Sequence, residues 1–119
     1  VFLLKAYAGM DSLLFDALPS TTSGLVIEAL GAGNLPPEAI PGVARLLARG
    51  VPVVLVSRCF NGIAEGFYAY PGGGAELAKL GVIFCQGLNG QKARIKLIVG
   101  LSAGMSKETL AHYVDNAIS

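Results

Sequence analysis

Gly24-Leu25-Val26-Ile27-Glu28-Ala29-Leu30-Gly31-Ala32-Gly33-Asn34 is the stretch that decides the fold. Its apolar run is strand length, and it passes directly into a glycine-rich turn. A helix is expected to open near Pro36-Pro37-Glu38, because proline suits a first helical turn. Ile40, Val43, Ala44 and Leu47 follow the i, i+3, i+4, i+7 rule of an apolar helix face. Gly50 is placed to end that helix as a left-handed cap. Val51-Pro52-Val53-Val54-Leu55-Val56 is then a second, central strand, with Pro52 at its start where no ladder donor is needed. A strand, a helix and a strand in that order make a crossover unit, and crossovers join parallel strands.

Outward from this unit the pattern repeats. Val1 to Leu4 reads as a strand, and Asp11 can cap a short helix through Phe15 to Leu18. Ala75 to Leu80 reads as a helix ended by Gly81, and Val82 to Cys85 as a fourth strand. Asn89 is positioned to cap a helix over about 91–101. Ala93, Leu97 and Leu101 line one face of it, and Ile95, Ile98 and Val99 widen the apolar coverage, which predicts packing on more than one side. Gly104 breaks it. Ser106 caps a last helix with a stripe of Leu110, Tyr113, Val114 and Ala117. The expectation is one three-layer α/β domain over residues 1–119, flavodoxin- or Rossmann-like. It has a parallel sheet of about four strands and right-handed crossover helices.

The chain has 119 residues, enough for one core. Hydrophobic residues make up 53% and charged residues 14%, against roughly 25% charged in an average soluble domain. That excess predicts strands buried on both faces and a surface that another domain or subunit covers. The net charge is +1 with no basic stripe, so nucleic acid is not an expected partner. No apolar run reaches the ~18 residues of a membrane span. The chain starts at Val1 rather than Met, so an absent leader says nothing of location, and a preceding segment is expected. Cys59 and Cys85 lack metal-ligand spacing and His112 is the lone histidine, so neither metal nor disulfide is expected.

Open α/β sheets bind ligands at the carboxyl ends of their strands. Three loops qualify here: Gly31 to Asn34, Ser57 to Gly62, and Gly66 to Gly74. The first is not a dinucleotide loop, because Pro36 stands where a third small residue is needed, and there is no P-loop lysine. Its glycines serve a tight turn. Asn34 offers a donor and an acceptor that suit a carboxylate or carboxamide ligand, or else caps the next helix. Ser57 lacks the nucleophile-elbow pattern, and no spacing of Ser, His and Asp suggests a triad. Arg58 can pair with Glu65 on the surface. His112 is expected to face solvent. Tyr68 and Tyr70 either reach a partner's site or anchor their long loop.

Taken together, these loops resemble a known family. Gly24 to Pro36 resembles its strand followed by GxGNxP, and Val53 to Gly62 its strand ending in SRCxxG. Gly81-Val82-Ile83, Leu88-Asn89-Gly90-Gln91-Lys92-Ala93-Arg94 and Tyr7-Ala8-Gly9-Met10 resemble its GVI, LNxxKAR and YPGM elements. The order matches, and nearly the whole chain is covered. The family is the C-terminal domain of bacterial L-asparaginases and their glutaminase-active relatives. The resemblance implies hydrolysis of L-asparagine to L-aspartate and ammonia, without metal or cofactor. It also implies that the Thr nucleophile, a second Thr, a Lys and an Asp lie in an N-terminal domain. No catalytic residue is then expected in this chain. The domain would complete a neighbouring subunit's site through Asn34 and Tyr70, with Gly33, Ser57 and Tyr68 as further candidates. Tyr70-Pro71-Gly72-Gly73 looks like the branch that carries a Tyr where another carries a Glu. That branch is commonly cytoplasmic. Expected partners are the chain's own N-terminal domain, L-asparagine, and a second copy in a homodimer or dimer of dimers, with no nucleic acid and no membrane. The other reading is a free-standing α/β domain that binds a small ligand without catalysis.

Overall fold

The computed structural model describes residues 1–31, 33–57, 74–85 and 87–115. Four strands pair in parallel, in the order β1 (Phe2–Lys5), β2 (Leu25–Ala29), β3 (Val53–Ser57) and β4 (Ile83–Phe84). The helices are α1 (Leu13–Asp16), α2 (Ile40–Ala48), α3 (Gly74–Leu80), α4 (Gly90–Ser102) and α5 (Lys107–Asp115). Among the described elements this is the three-layer α/β architecture the sequence predicts.

Side chains alternate across a strand, so each central strand feeds two cores. Leu25, Ile27, Ala29, Val53 and Leu55 point to one face and pack with Phe15 of α1, Ile40, Val43 and Leu46 of α2, and Leu77 of α3. Val26, Val54, Val56, Ile83 and Cys85 point to the other and pack with Ala93 and Leu97 of α4, and Leu110 and Val114 of α5. The neighbours β2 and β3 are thus apolar on both faces, as parallel strands under helices must be. Each strand lies beside its predecessor, and the helices of all three crossovers lie on one face. The crossovers therefore share one hand, as the strong right-handed preference of such units requires. The strand order does not reverse, so the strand-end loops gather along one sheet edge without a switch point.

Caps and turns follow the residues. The Asp11 carboxylate accepts from Leu13 N at 2.9 Å and opens α1. Asn89 Oδ1 accepts from Lys92 N at 2.9 Å and opens α4. Ser106 Oγ accepts from Thr109 N at 3.2 Å and opens α5. Gly50, with φ +83°, turns the chain from α2 into β3. Several expectations need correction. Pro37 to Ala39 form a turn of 3-10 helix, so α2 begins only at Ile40. Ile40 and Val43 are buried as expected, together with Gly42 and Leu46, whereas Ala44 and Leu47 are only half-buried. Within α4, Ala93 and Leu97 are buried and Leu101 packs partly buried against the same core, while Gly100 faces α5, where a Cβ would meet Leu110 Cδ1 at 2.6 Å. Helix α4 packs on the sheet and on α5, while Ile95 and Val99 are exposed, at 59% and 49%, so its remaining flank is uncovered among the described residues. Ala117 lies outside the described residues.

Candidate functional site

The chain leaves β2 at Ala29 and doubles back within five residues. Leu30 N donates to Asn34 O at 2.8 Å and Asn34 N to Leu30 O at 2.8 Å, which makes an isolated antiparallel bridge. Gly33 N donates to Leu30 O as well, at 3.0 Å. Gly31 and Gly33 have φ of +50° and +124°, conformations that L side chains avoid. The GxGN spacing is therefore a geometric device that folds Asn34 back beside the carboxyl end of β2.

Asn34 is half-buried, and its Oδ1 is buried with no hydrogen-bond partner among the described residues. No other described buried side-chain oxygen or nitrogen is left this way. Such an acceptor costs about 1–3 kcal/mol if nothing donates to it. The alternative of a helix cap is overturned: the next helical turn starts at Pro37 behind Pro36 and takes no side-chain cap. An amide carbonyl only accepts, so the group that satisfies it is an N–H or O–H of something else. An ammonium or a carboxamide has that chemistry, and a carboxylate does not.

Ser57, the last residue of β3, pairs in register with Ala29, so its backbone sits at the same sheet edge. Tyr68, Tyr70, Arg58, Cys59 and Glu65 lie outside the described residues. One group was missed from the sequence. Glu28 is the lone charge in the β2 run and projects to the α4 face. A Cβ on Gly90, the first residue of α4, would run into Glu28 Oε1, and would sit 2.8 Å from Glu28 Cγ and 2.9 Å from Leu3 Cδ1. The carboxylate thus lies against the amino end of a 13-residue helix, where the dipole favours negative charge. The signal was present: an acid inside an apolar strand seldom lacks a reason.

Three described hydroxyls near turns are spent on structure. Ser12 Oγ donates to Glu38 O at 2.8 Å, Thr22 Oγ1 to Pro19 O at 2.6 Å, and Ser106 Oγ to Thr109 Oγ1 at 2.9 Å. His112 is exposed on α5, as expected. Cys85 is a buried free thiol that donates to Val114 O at 3.5 Å. Burial first, then the charge of Asp115, pushes it up to about 11 against the opposing pull of Lys96. It is a packed thiol, not a nucleophile. Among the described residues no group of three His, Cys, Asp or Glu could hold a metal, and no helix is long and apolar enough to cross a membrane.

Residues 1–114 match the family model of the glutaminase/asparaginase C-terminal domain. The chain belongs to that family. This asparaginase-type domain is 44% identical over 110 residues to a probable L-asparaginase of Deinococcus radiodurans, covering 92% of the chain and 33% of that protein. It is 37% identical over 100 residues to a glutamyl-tRNA(Gln) amidotransferase component from Pyrococcus furiosus, covering 82% of the chain and 22% of that protein. In structure the domain is similar to L-asparaginase I of Vibrio cholerae, with a TM-score of 0.80 and 25% identity over 97% of this chain and 35% of that one. It is also similar to a probable cytoplasmic L-asparaginase of Campylobacter jejuni, with a TM-score of 0.78 and 27% identity over 95% and 33%. The asparaginase-type domain thus spans about a third of the L-asparaginases it matches, and less of the amidotransferase component.

Proposed function

We propose that this domain is the C-terminal part of a cytoplasmic amidohydrolase that converts L-asparagine and water to L-aspartate and ammonia. It completes the substrate site of a neighbouring subunit in a homo-oligomer and is inactive alone. The observation that carries the site is the buried Oδ1 of Asn34 at the carboxyl end of β2, without a hydrogen-bond partner among the described residues. The activity is supported by the 44% identity to a probable L-asparaginase. Asn34 accepts from an N–H of the substrate and orients it. Tyr70 is the second substrate contact, with Gly33, Ser57 and Tyr68 as further contacts. The nucleophile is a Thr hydroxyl of the N-terminal domain. Its oxygen bonds to the carboxamide carbon, the C–N bond breaks, ammonia leaves, and water releases L-aspartate from the acyl-enzyme.

A second reading draws on the amidotransferase relative: the same domain serving in a glutamyl-tRNA(Gln) amidotransferase. One experiment addresses both. Ammonia release from L-asparagine is measured for the 119-residue chain, for a separately made N-terminal domain, and for their mixture. Activity in the mixture alone, lost with Asn34→Ala, supports the composite asparaginase site. Activity of the chain alone overturns it. A mixture that co-sediments but works only with a further protein component supports the amidotransferase reading.

A further inference from the structure

The far end of the sheet carries a half-open cavity of about 190 Å³. Leu47, Val51, Pro52, Leu101, Met105 and Leu110 line it. It lies where the end of α2, the lead into β3 and the turn between α4 and α5 meet. Five strand steps separate Pro52 from Ser57, so roughly 17 Å of β3 lies between this cavity and the sheet edge that carries Asn34.

Two features define what it can hold. The first is that its walls offer few donors. The N–H groups of Gly50, Val51, Met105 and Leu110 are already given to the carbonyls of Leu47, Leu46, Gly100 and Ser106. Pro52 has no N–H, and its carbonyl accepts from Leu25 N. Water needs two to four polar partners to settle in a cavity, whereas an apolar cavity of roughly 150 Å³ accepts benzene. Met105 is half-buried and unbranched, so this wall can adapt to the shape of an occupant.

The second feature is Lys107, the one charged residue in the lining. It is exposed, and no ion pair engages it among the described residues. It also stands in the first turn of α5, where the helix dipole adds to its positive charge. An apolar body with a single anionic end matches an apolar chamber with a single cation in its lining.

We infer that this cavity binds a small monocarboxylate with an aromatic or branched aliphatic body. The site is separate from the asparagine site and does not rest on that reading. The probe is benzoate, against benzamide as its uncharged counterpart, on the 119-residue chain with labelled Leu, Val and Met methyl groups. Benzoate is expected to shift the methyl signals of Leu47, Leu101 and Met105 in a saturable way. Benzamide, and benzoate on Lys107→Glu, are expected to bind about tenfold more weakly, as loss of one charge-assisted contact implies. Lys107 is exposed, so the variant is expected to fold. If it does not, the benzoate–benzamide comparison on the unaltered chain decides alone. Shifts confined to other methyls, no saturation at millimolar benzoate, or equal binding of the two probes overturns the inference.

Discussion

Replacing Gly42 by Ala should destabilise the domain, against the usual direction of that change. Inside a helix, Ala is about 1 kcal/mol better than Gly. Gly42 lies in α2 where it crosses α1, and a Cβ there would stand 2.9 Å from Phe15 Cβ and 3.0 Å from Ser12 Cβ. Neither neighbour is the end of a flexible side chain. Both are fixed to the α1 backbone, so relief requires moving the helix by about 0.6–1.1 Å to reach ordinary carbon–carbon separation. That movement pulls on Ser12 Oγ, which accepts from Gly42 N at 2.9 Å and donates to Glu38 O at 2.8 Å. Overpacking of this kind costs about 1–3 kcal/mol, and each strained hydrogen bond about 0.5–1.5 kcal/mol. Net of the helix gain, a loss of about 1–2 kcal/mol is expected. Thermal unfolding followed by circular dichroism should show Tm lowered by roughly 3–10 °C. Gly100→Ala is the control: its nearest obstacle is Leu110 Cδ1 at 2.6 Å, the end of a side chain that can rotate. The double variant Ser12→Ala with Gly42→Ala should lose less than the sum of the singles, because both act on the same bonds. A Tm raised by Gly42→Ala would refute the close α1–α2 contact and the role given to Ser12.

Other outcomes follow from the same structure. Asn34→Ala should leave the urea midpoint unchanged or raise it, since it removes an acceptor that no described residue satisfies, while abolishing ammonia release in the reassembled protein. Asn89→Ala should cost about 1 kcal/mol in urea unfolding through loss of the α4 cap. The Asp16–Arg45 pair, 2.7 Å apart and exposed, holds the Asp16 carboxyl below its usual range through the Arg45 hydrogen bond. Its contribution is therefore present at neutral pH and lost as pH falls through that lowered value. The Tm gap between the unaltered chain and Asp16→Asn should be small, shrink in salt and close at acid pH. Cys85, measured in a Cys59→Ala background, should resist thiol reagents at pH 8, where on the order of a thousandth is thiolate. Its raised value means stability is held up to about pH 9 and falls towards about pH 11.

Much of this was legible because the signals are local. Gly50, Asp11, Asn89 and Ser106 each act within a few residues of themselves, so turn and cap chemistry read them correctly. The two-faced burial of β2 and β3 followed from continuous apolar runs. What escaped depends on partners distant in sequence. Ser12 drew no attention in the sequence because its bonds go to Glu38 and Gly42, 26 and 30 residues away. Within α2, Ile40 and Val43 were read correctly, but full burial further along falls on Leu46 rather than on Ala44 and Leu47. Gly90 gave no hint that Glu28 needs its missing side chain. At the candidate site, Asn34 was legible as a polar group at a strand end. Its burial and its empty acceptor depend on the fold of the Gly31 to Gly33 turn.

The division of the sheet into two cores sets an order of assembly. Once synthesis has passed Cys85, all four strands and the three crossover helices of this domain exist, and one core can close. The opposite face, with Val26, Val54, Val56, Ile83 and Cys85, stays bare until α4 and α5 emerge. A nascent chain stalled before Gly90 would therefore present a flat apolar sheet to whatever is nearby. Helices α4 and α5 thus cover the face that the four strands leave apolar, and the Cys85 thiol, which donates to Val114 O, is a built-in reporter of when α5 docks.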